Sequence, residues 1–336
     1  PRQSCSDARN KTMLTFGTLG AAKIAPGALI APVKENDNVT IHCVAARDRA
    51  RAESFAKEHG IPMVYDNYDA VIEDETINCL YNPLPISAHK KWTIKALRAG
   101  KHVLCEKSFA LNATEAQEMA DVGKETGLVL MDAFHYRYHP IFLRAREIYS
   151  SGDLGDVHTI NAAFHVGGPI PETDIRMIYE TGGGVTMDIG CYPISWVRHI
   201  TAEEPVEVIA QAETGPENVD TWLEATMKFE SGATATTSGD MRAGAKFTAV
   251  LRVEGSKGTM VVNNPLVPQM GNSIELTIDG NTTTEEFPRR PTYSYQLDAF
   301  VDAVTNGTTP LTNADDAVQQ MALIDRCYEA AGLPRR

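Results

Sequence analysis

Val103-Leu104-Cys105-Glu106-Lys107-Ser108 is the stretch on which the fold turns. An apolar run stops abruptly at an acid and a lysine, and a helix is predicted to begin just beyond. Asn112 is placed to cap that helix, and Glu115 three residues on completes a capping box. A strand that ends in charged side chains delivers them to the carboxyl edge of a sheet. In open parallel sheets, that edge is where ligands bind.

Upstream, residues 13–16 form a short predicted strand running into Gly17-Thr18-Leu19-Gly20-Ala21-Ala22-Lys23-Ile24-Ala25. A dinucleotide-binding turn needs three small residues: one for the tight turn, one for backbone approach to pyrophosphate, one for close helix–sheet packing. Gly20, Ala22 and Ala25 stand at those places. With one glycine among the three, the turn by itself is equally a plain βα connection.

The next strand supplies context. Residues 39–46 are apolar, end in Arg47-Asp48 and precede a helix at about 49–59, a βαβ unit of the right size. An acid directly at this strand end would hold the ribose hydroxyls of NAD. The first polar residue is instead Arg47, whose guanidinium suits the 2′-phosphate of NADP. NADP is therefore expected over NAD; Asp48 is the competing feature, and a solvated surface arginine the bland one.

A further strand at 77–81 opens into Asn82-Pro83-Leu84-Pro85-Ile86-Ser87-Ala88-His89, where two prolines impose an extended loop. Helices are predicted at 88–98, ended by Gly100, and at 113–126, ended by Gly127. A strand at 129–131 then closes into residues 132–140. Strands and helices alternating from 13 to 134 predict a parallel, doubly wound sheet.

The pattern changes after residue 140. A helix at 141–151 is followed by strands at 157–165, 205–213, 221–229, 234–238, 249–254 and 259–262, with Gly232, Gly255 and Gly258 in the turns. These predict a mainly antiparallel sheet with one face against helices. Within this half a glycine turn, Gly182-Gly183-Gly184, feeds a helix on which Asp188 and Tyr192 lie four apart on one face. Two helices end the chain, one carrying Leu297, Phe300, Val301 and Val304, the other capped by Asn313. The expected fold class is α/β: a Rossmann dinucleotide-binding domain at 12–134, then an α+β domain at 135–290 for substrate and dimerisation. Helices at 291–331 are expected to pack back on the first domain.

The 336 residues allow two domains and a large core. A net charge of -13 disfavours nucleic acid or an anionic membrane as partner, without forbidding a local basic pocket for one phosphate. The six cysteines are scattered; Cys43, Cys79 and Cys105 fall in apolar runs, as buried free thiols do, which suits a reducing compartment. Residues 1–11 are polar and lack a secretion-type apolar segment, so a cytoplasmic protein is expected. His135 and His139 lie four apart, but no H-E-x-x-H pattern or further ligand cluster accompanies them, so no metal is expected.

Together these residues resemble the glucose–fructose oxidoreductase / inositol dehydrogenase family (Gfo/Idh/MocA), from Phe16 to the last helix. The resemblance rests on three motifs in order: Gly17-x-Leu19-Gly20-Ala21-Ala22-x-Ile24-Ala25, the run from Ala99 through Glu106-Lys107, and Gly182-Gly183-Gly184 through Tyr192. Tyr192 stands where many members carry histidine. A tyrosine there, with the segment 133–140, is similar to the branch of dimeric dihydrodiol dehydrogenases, NADP-dependent D-xylose dehydrogenases and glucose–fructose oxidoreductase itself.

The resemblance implies hydride transfer between NADP and a sugar-like alcohol or carbonyl: an aldose, a cyclic sugar or a dihydrodiol. Tyr192 would supply the proton, with Lys107 lowering its pKa or polarising the carbonyl, and Asp188 orienting hydroxyls or the lysine. Cofactor contacts would come from Gly20, Ala22, Lys23, Ile24, Arg47, Asn82, Leu84, Pro85, His89, Glu106 and Lys107. Substrate contacts would come from His135, Arg137, Arg176, Asp188 and Tyr192. Where the family reads Glu-Lys-Pro, often with a cis peptide, this chain has Ser108, which leaves the aim of Lys107 open. Two further readings are a non-catalytic NADP-binding regulator of the same fold and an enzyme that recycles its bound nicotinamide within one cycle. By analogy of fold, a homodimer through the second-domain sheet is expected.

Overall fold

The computed structural model describes residues 13–168 and 170–336; the polar segment 1–11 and Cys5 lie outside them. The first half alternates as its sequence pattern predicts. β1 (Leu14–Leu19) leads through a wide π turn (Pro26–Ile30) into α1 (Ala31–Val33). There follow β2 (Val39–Ala45), α2 (Arg49–His59), β3 (Met63–Tyr65), α3 (Tyr68–Glu73), β4 (Cys79–Asn82), α4 (His89–Arg98), β5 (His102–Cys105), α5 (Ala113–Thr126) and β6 (Leu130–Asp132).

The six strands form a parallel sheet in the order β3-β2-β1-β4-β5-β6. Its inner strands are apolar almost throughout because helices cover both faces. The packing is close: a Cβ on Gly17 would come within 2.6 Å of Val71 Cγ1 on α3. Chain order reverses between β1 and β4, so their carboxyl ends open a crevice. Asn112 caps α5 as predicted, accepting from Glu115 N at 2.9 Å; Glu115 reaches Leu111 N rather than Asn112 N.

The second half adds α6 (Pro140–Ser151), β7 (Val157–His165), a second wide π turn (Thr186–Gly190) and α7 (Cys191–Thr201). Then come β8 (Glu207–Thr214), β9 (Asp220–Lys228), β10 (Thr234–Asp240), β11 (Thr248–Gly255), β12 (Gly258–Asn263), β13 (Ser273–Ile278) and β14 (Asn281–Glu285). They form an eight-stranded sheet in the order β14-β13-β12-β11-β7-β10-β9-β8, antiparallel except between β7 and β10. One face is core, with Ile160, Ala225, Ala235, Leu251, Val253 and Met260 buried; the opposite face is open.

α8 (Thr292–Asn306) and α9 (Ala314–Ala330) end the described chain. α8 packs on the helical segments at 26–33 and 135–138, and α9 packs mainly on α5, with further contacts to β8 and α7. Cys43, Cys79, Cys105, Cys191 and Cys327 are free and buried. Among the described residues no helix is long and apolar enough to cross a membrane.

Candidate active site

The crevice at the carboxyl edge widens into a cavity of about 630 Å3 whose walls come from both sheets. On the first-sheet side, Gly20 makes the tight turn with φ +82°, and its N–H donates to Ala45 O at 2.6 Å. A Cβ there would come within 3.2 Å of Leu84 Cδ2, so glycine answers both the angle and the space. Ala25 is buried against the sheet, while Lys23 and Ile24 stay exposed.

At the end of β2 the competition between Arg47 and Asp48 resolves. Asp48 Oδ1 caps α2, accepting from Ala50 N at 2.9 Å and Arg51 N at 3.4 Å. Its carboxylate is therefore held at the helix start. Exposed Arg47 has no carboxylate within ion-pair distance among the described residues. Arg51, which the sequence reading did not single out, pins α2 to the dinucleotide turn by donating to Ala21 O at 2.7 Å. A tight glycine turn with an unpaired arginine at the next strand end fits a dinucleotide carrying a 2′-phosphate.

The charged end of β5 faces this turn. Glu106 is buried and accepts from Tyr81 OH at 2.7 Å. Burial raises its pKa, although Tyr81 and Lys107 pull the other way. The peptide Lys107–Ser108 is cis. Ser108 Oγ donates to Met187 O at 2.9 Å, and Lys107 Nζ donates to Asp188 O at 2.5 Å and Oδ1 at 3.2 Å. The aim of Lys107, open in the sequence, is thus toward Asp188.

Burial favours the neutral amine of Lys107, but Asp188, Cys191 and Glu106 outweigh it and hold its pKa above the ordinary value. Asp188 is likewise held low: burial raises it, and Lys107 and Arg176 overcome that. Arg176 Nε donates to Asp188 Oδ2 at 2.6 Å. Asp188 lies in the wide turn and Tyr192 in the first turn of α7, and both face the cavity.

Lys107 Nζ sits 5.3 Å from the centre of the Tyr192 ring, while the phenol oxygen pairs with His135 Nε2 at 3.1 Å. The expected lowering of the Tyr192 pKa by Lys107 is not what the site produces. Burial pushes the phenol well above its ordinary range, with Tyr293 the next contributor, because the ammonium lies over the ring and is already neutralised by Asp188.

Other expected contacts take different places. His135 and Arg137 are buried and absent from the cavity wall. His135 backs Tyr192, pairs through Nδ1 with Thr292 Oγ1 at 2.6 Å, and stacks on Tyr293 at 4.0 Å. Asn82 and His89 are fully buried behind the Leu84-Pro85 loop, which itself lines the cavity. Asn82 holds that loop through Leu84 N, and the His89 ring sits between Leu84 O, 2.7 Å from Nε2, and Ser108 O, 3.0 Å from Nδ1. Their role is positioning. His139 caps α6 through Ile141 N and contacts Pro288 O, apart from His135.

A family model described as an oxidoreductase family with an NAD-binding Rossmann fold matches residues 14–134, and a GFO/IDH/MocA C-terminal domain matches 142–261. Over 95% of this chain and 97% of the relative, the sequence is 33% identical to D-xylose 1-dehydrogenase (NADP(+)) 2 of Haloferax volcanii. The chain belongs to the GFO/IDH/MocA oxidoreductase family.

Two solved structures share the whole fold of this GFO/IDH/MocA chain. The aldose–aldose oxidoreductase of Caulobacter crescentus, complexed with glycerol, superposes with a TM-score of 0.86 at 26% identity, covering 95% of this chain and 98% of that one. A 3-ketoreductase of Actinomadura kijaniata, in complex with NADP and TDP-benzene, gives a TM-score of 0.86 at 27% identity over the same shares.

Behind the glycine turn of this family member lies a buried anchor that sequence reasoning missed. Asp220, at the start of β9, accepts from Thr186 N at 2.8 Å, Tyr328 OH at 3.0 Å and Arg336 Nη2 at 3.0 Å. It thereby fixes the segment that carries Asp188. Gly184 has φ +128°, and a Cβ there would fall on the Asp220 carboxylate. Gly184→Ala is expected to destabilise the protein by roughly 3 kcal/mol from overpacking and backbone strain together, read as a fall of several degrees in Tm. An unchanged Tm would show that the turn is not held by this anchor.

Proposed function

We propose that the chain is an NADP-dependent oxidoreductase that moves a hydride between nicotinamide and a sugar-like alcohol or carbonyl. The observation that carries this is the meeting of Lys107, Asp188 and Tyr192 in one cavity at the Rossmann edge, from elements 81 residues apart in the chain. The turn at Gly20–Ile24, Arg47, Leu84, Pro85 and Glu106 would hold the dinucleotide. The nicotinamide, when bound, supplies or accepts the hydride.

The chain's own groups manage the proton. Burial keeps Tyr192 a neutral phenol, the form that donates to a developing alkoxide. Burial, with Lys107 nearby, pulls His135 down to about 3, so its ring is neutral. With its Nδ1–H donated to Thr292, the neutral ring leaves Nε2 to accept a hydrogen bond from the Tyr192 hydroxyl, which holds the phenol in place at the cavity. Lys107, held charged, stabilises negative charge on the substrate oxygen, and Asp188 with Arg176 keeps the ammonium in place.

Fluorescence titration with NADPH and NADH tests the cofactor assignment. NADPH is expected to bind more tightly, and Arg47→Ser to weaken NADPH roughly ten- to a hundredfold while leaving NADH nearly unchanged. Equal losses for both cofactors would remove Arg47 from the 2′-phosphate.

The regulator reading finds no support in a site that keeps all three of these groups. The recycling reading is favoured by the likeness to an aldose–aldose oxidoreductase; NADP exchange slower than turnover would support it. The open face of the eight-stranded sheet, where Ile209, Thr226, Thr236, Asn161, Arg252 and Val261 form one cross-strand row, is the surface proposed for a second copy.

A further inference from the structure

Charge and polarity are unevenly distributed around the cavity. Five ionisable acids and bases other than tyrosine line it: Glu106, Asp174 and Asp188 against Lys107 and Arg176. Each cation already faces a carboxylate: Lys107 pairs with Asp188, and Arg176 with Asp188 at 2.6 Å and Asp174 at 3.2 Å. A substrate bearing a formal anionic group would meet three carboxylates against two cations. The 3-ketoreductase above was solved in complex with NADP and TDP-benzene; among the residues lining this cavity no cation stands apart from a carboxylate.

The polar groups also form one cluster. Lys107, Arg176, Asp188 and Tyr192 adjoin one another. Thr181, also on the wall, has its hydroxyl turned to Ile175 O and Ile178 O. Asp174 on the second-domain wall is paired with Arg176, and beside it the wall carries the apolar side chains Phe164, Val166, Ile170, Ile175 and Met241. Among the described residues eleven large apolar side chains are exposed, and Val166 (38%) and Ile175 (47%) are two of them. A third, Phe247 (65%), stands edge-on to Phe164 at 6.3 Å. Apolar side chains exposed together beside a polar cluster mark a binding surface. Sugar hydroxyls pressed against that wall would lose water without gaining partners.

Building on the oxidoreductase reading, we propose that the substrate is uncharged and two-ended. Hydroxyls at its reacting end meet Lys107, Asp188 and Tyr192, and an apolar group (a deoxy carbon, an alkyl or an aryl substituent) lies on Val166, Ile175 and Phe164.

The test is calorimetric binding to the NADPH-loaded protein of three matched ligands: methyl β-D-xylopyranoside, phenyl β-D-xylopyranoside and methyl β-D-glucuronide. The phenyl glycoside is expected to bind about tenfold more tightly than the methyl glycoside, as burial of one ring face provides. The glucuronide is expected to bind more weakly than either. Ile175→Asn and Val166→Asn should bring the phenyl-to-methyl ratio toward one. A wild-type ratio near one, a tighter glucuronide, or no binding of any of the three would overturn the inference. Binding is read apart from turnover. Intact binding ratios with no conversion of any panel sugar or diol, read both as nicotinamide absorbance and as products of sugar-to-sugar exchange, would therefore refute the oxidoreductase reading and leave the two-ended site standing.

Discussion

Lys107→Met is expected to lower kcat by roughly 10²–10³ while NADPH binding stays near its wild-type strength. Methionine nearly matches the lysine stem in length, so the cavity wall persists and only the ammonium is lost. Asp188 keeps Arg176 as partner, so the turn that carries it should hold. The loss should fall on kcat, since the charge is most valuable when the substrate oxygen becomes negative. Lys107→Arg should not rescue it: the larger guanidinium spreads its charge over a plane and does not put a compact ammonium at the place Nζ holds beside Asp188. Tyr192→Phe should act on the same step, by roughly 10²–10⁴. Its ring would still pack edge-on against Phe134 and Phe164. Full turnover in either variant, with cofactor bound, would sink the assigned roles.

How much of this was legible in the sequence depends on the distance over which each feature is decided. The parallel sheet announced itself because its strands are buried on both faces and end in local punctuation such as Gly20, Arg47 and Glu106-Lys107. β3 and α3 escaped notice because they are three and six residues long. β13 and β14 escaped because an edge strand such as Asn281–Glu285, mostly exposed, carries no alternation to read.

The helical spacing of Asp188 and Tyr192 pointed to one shared face. The wide turn at Thr186–Gly190 changes the path but still brings both to the cavity. Three groups had no local signal. His135 finds Tyr192 across 57 positions, Arg51 finds Ala21 across 30, and Asp220 finds Arg336 across 116. Such pairings are fixed by tertiary packing and leave no periodic trace. The same holds for the sign of the Tyr192 shift: the presence of a lysine was readable, its placement over the ring was not.

Stability is expected to fall on acidification below pH 6.5, through histidines that burial holds neutral. His102 Nδ1 accepts from Val129 N, His139 Nδ1 from Ile141 N, and His199 Nδ1 contacts the hydroxyls of Tyr136 and Ser195. His135 Nε2 faces the Tyr192 phenol. Protonation of His102 or His139 at Nδ1 would break the bond accepted from a backbone N–H. Burial, the largest cause for all four, lowers each pKa, to about 4 for His199 and about 3 for His135. A histidine with a lowered folded pKa leaves stability intact above about 6.5; as pH falls, the unfolded chain takes up protons that the folded one refuses. Each such site removes about 1.4 kcal/mol per pH unit until its folded pKa is reached.

Two buried carboxyls oppose this. Asp132 is pushed well above its ordinary value, mainly by burial, and Glu106 is raised, so each favours the folded state as pH drops. Asp316, lowered to about 2, loses its contribution only at lower pH, below the usual carboxylate range. His89 and His165 are lowered as well and Asp325 is raised, so six histidines of lowered pKa stand against three raised carboxyls, and stability falls as pH drops from 6.5 toward 4.5. Guanidinium unfolding at pH 7.5, 6.5, 5.5 and 4.5 measures it. His199→Gln should flatten the slope by about 1.4 kcal/mol per unit whatever it does to stability at neutral pH. A curve level from 7.5 to 5.5 would mean that burial does not hold these histidines neutral in the fold.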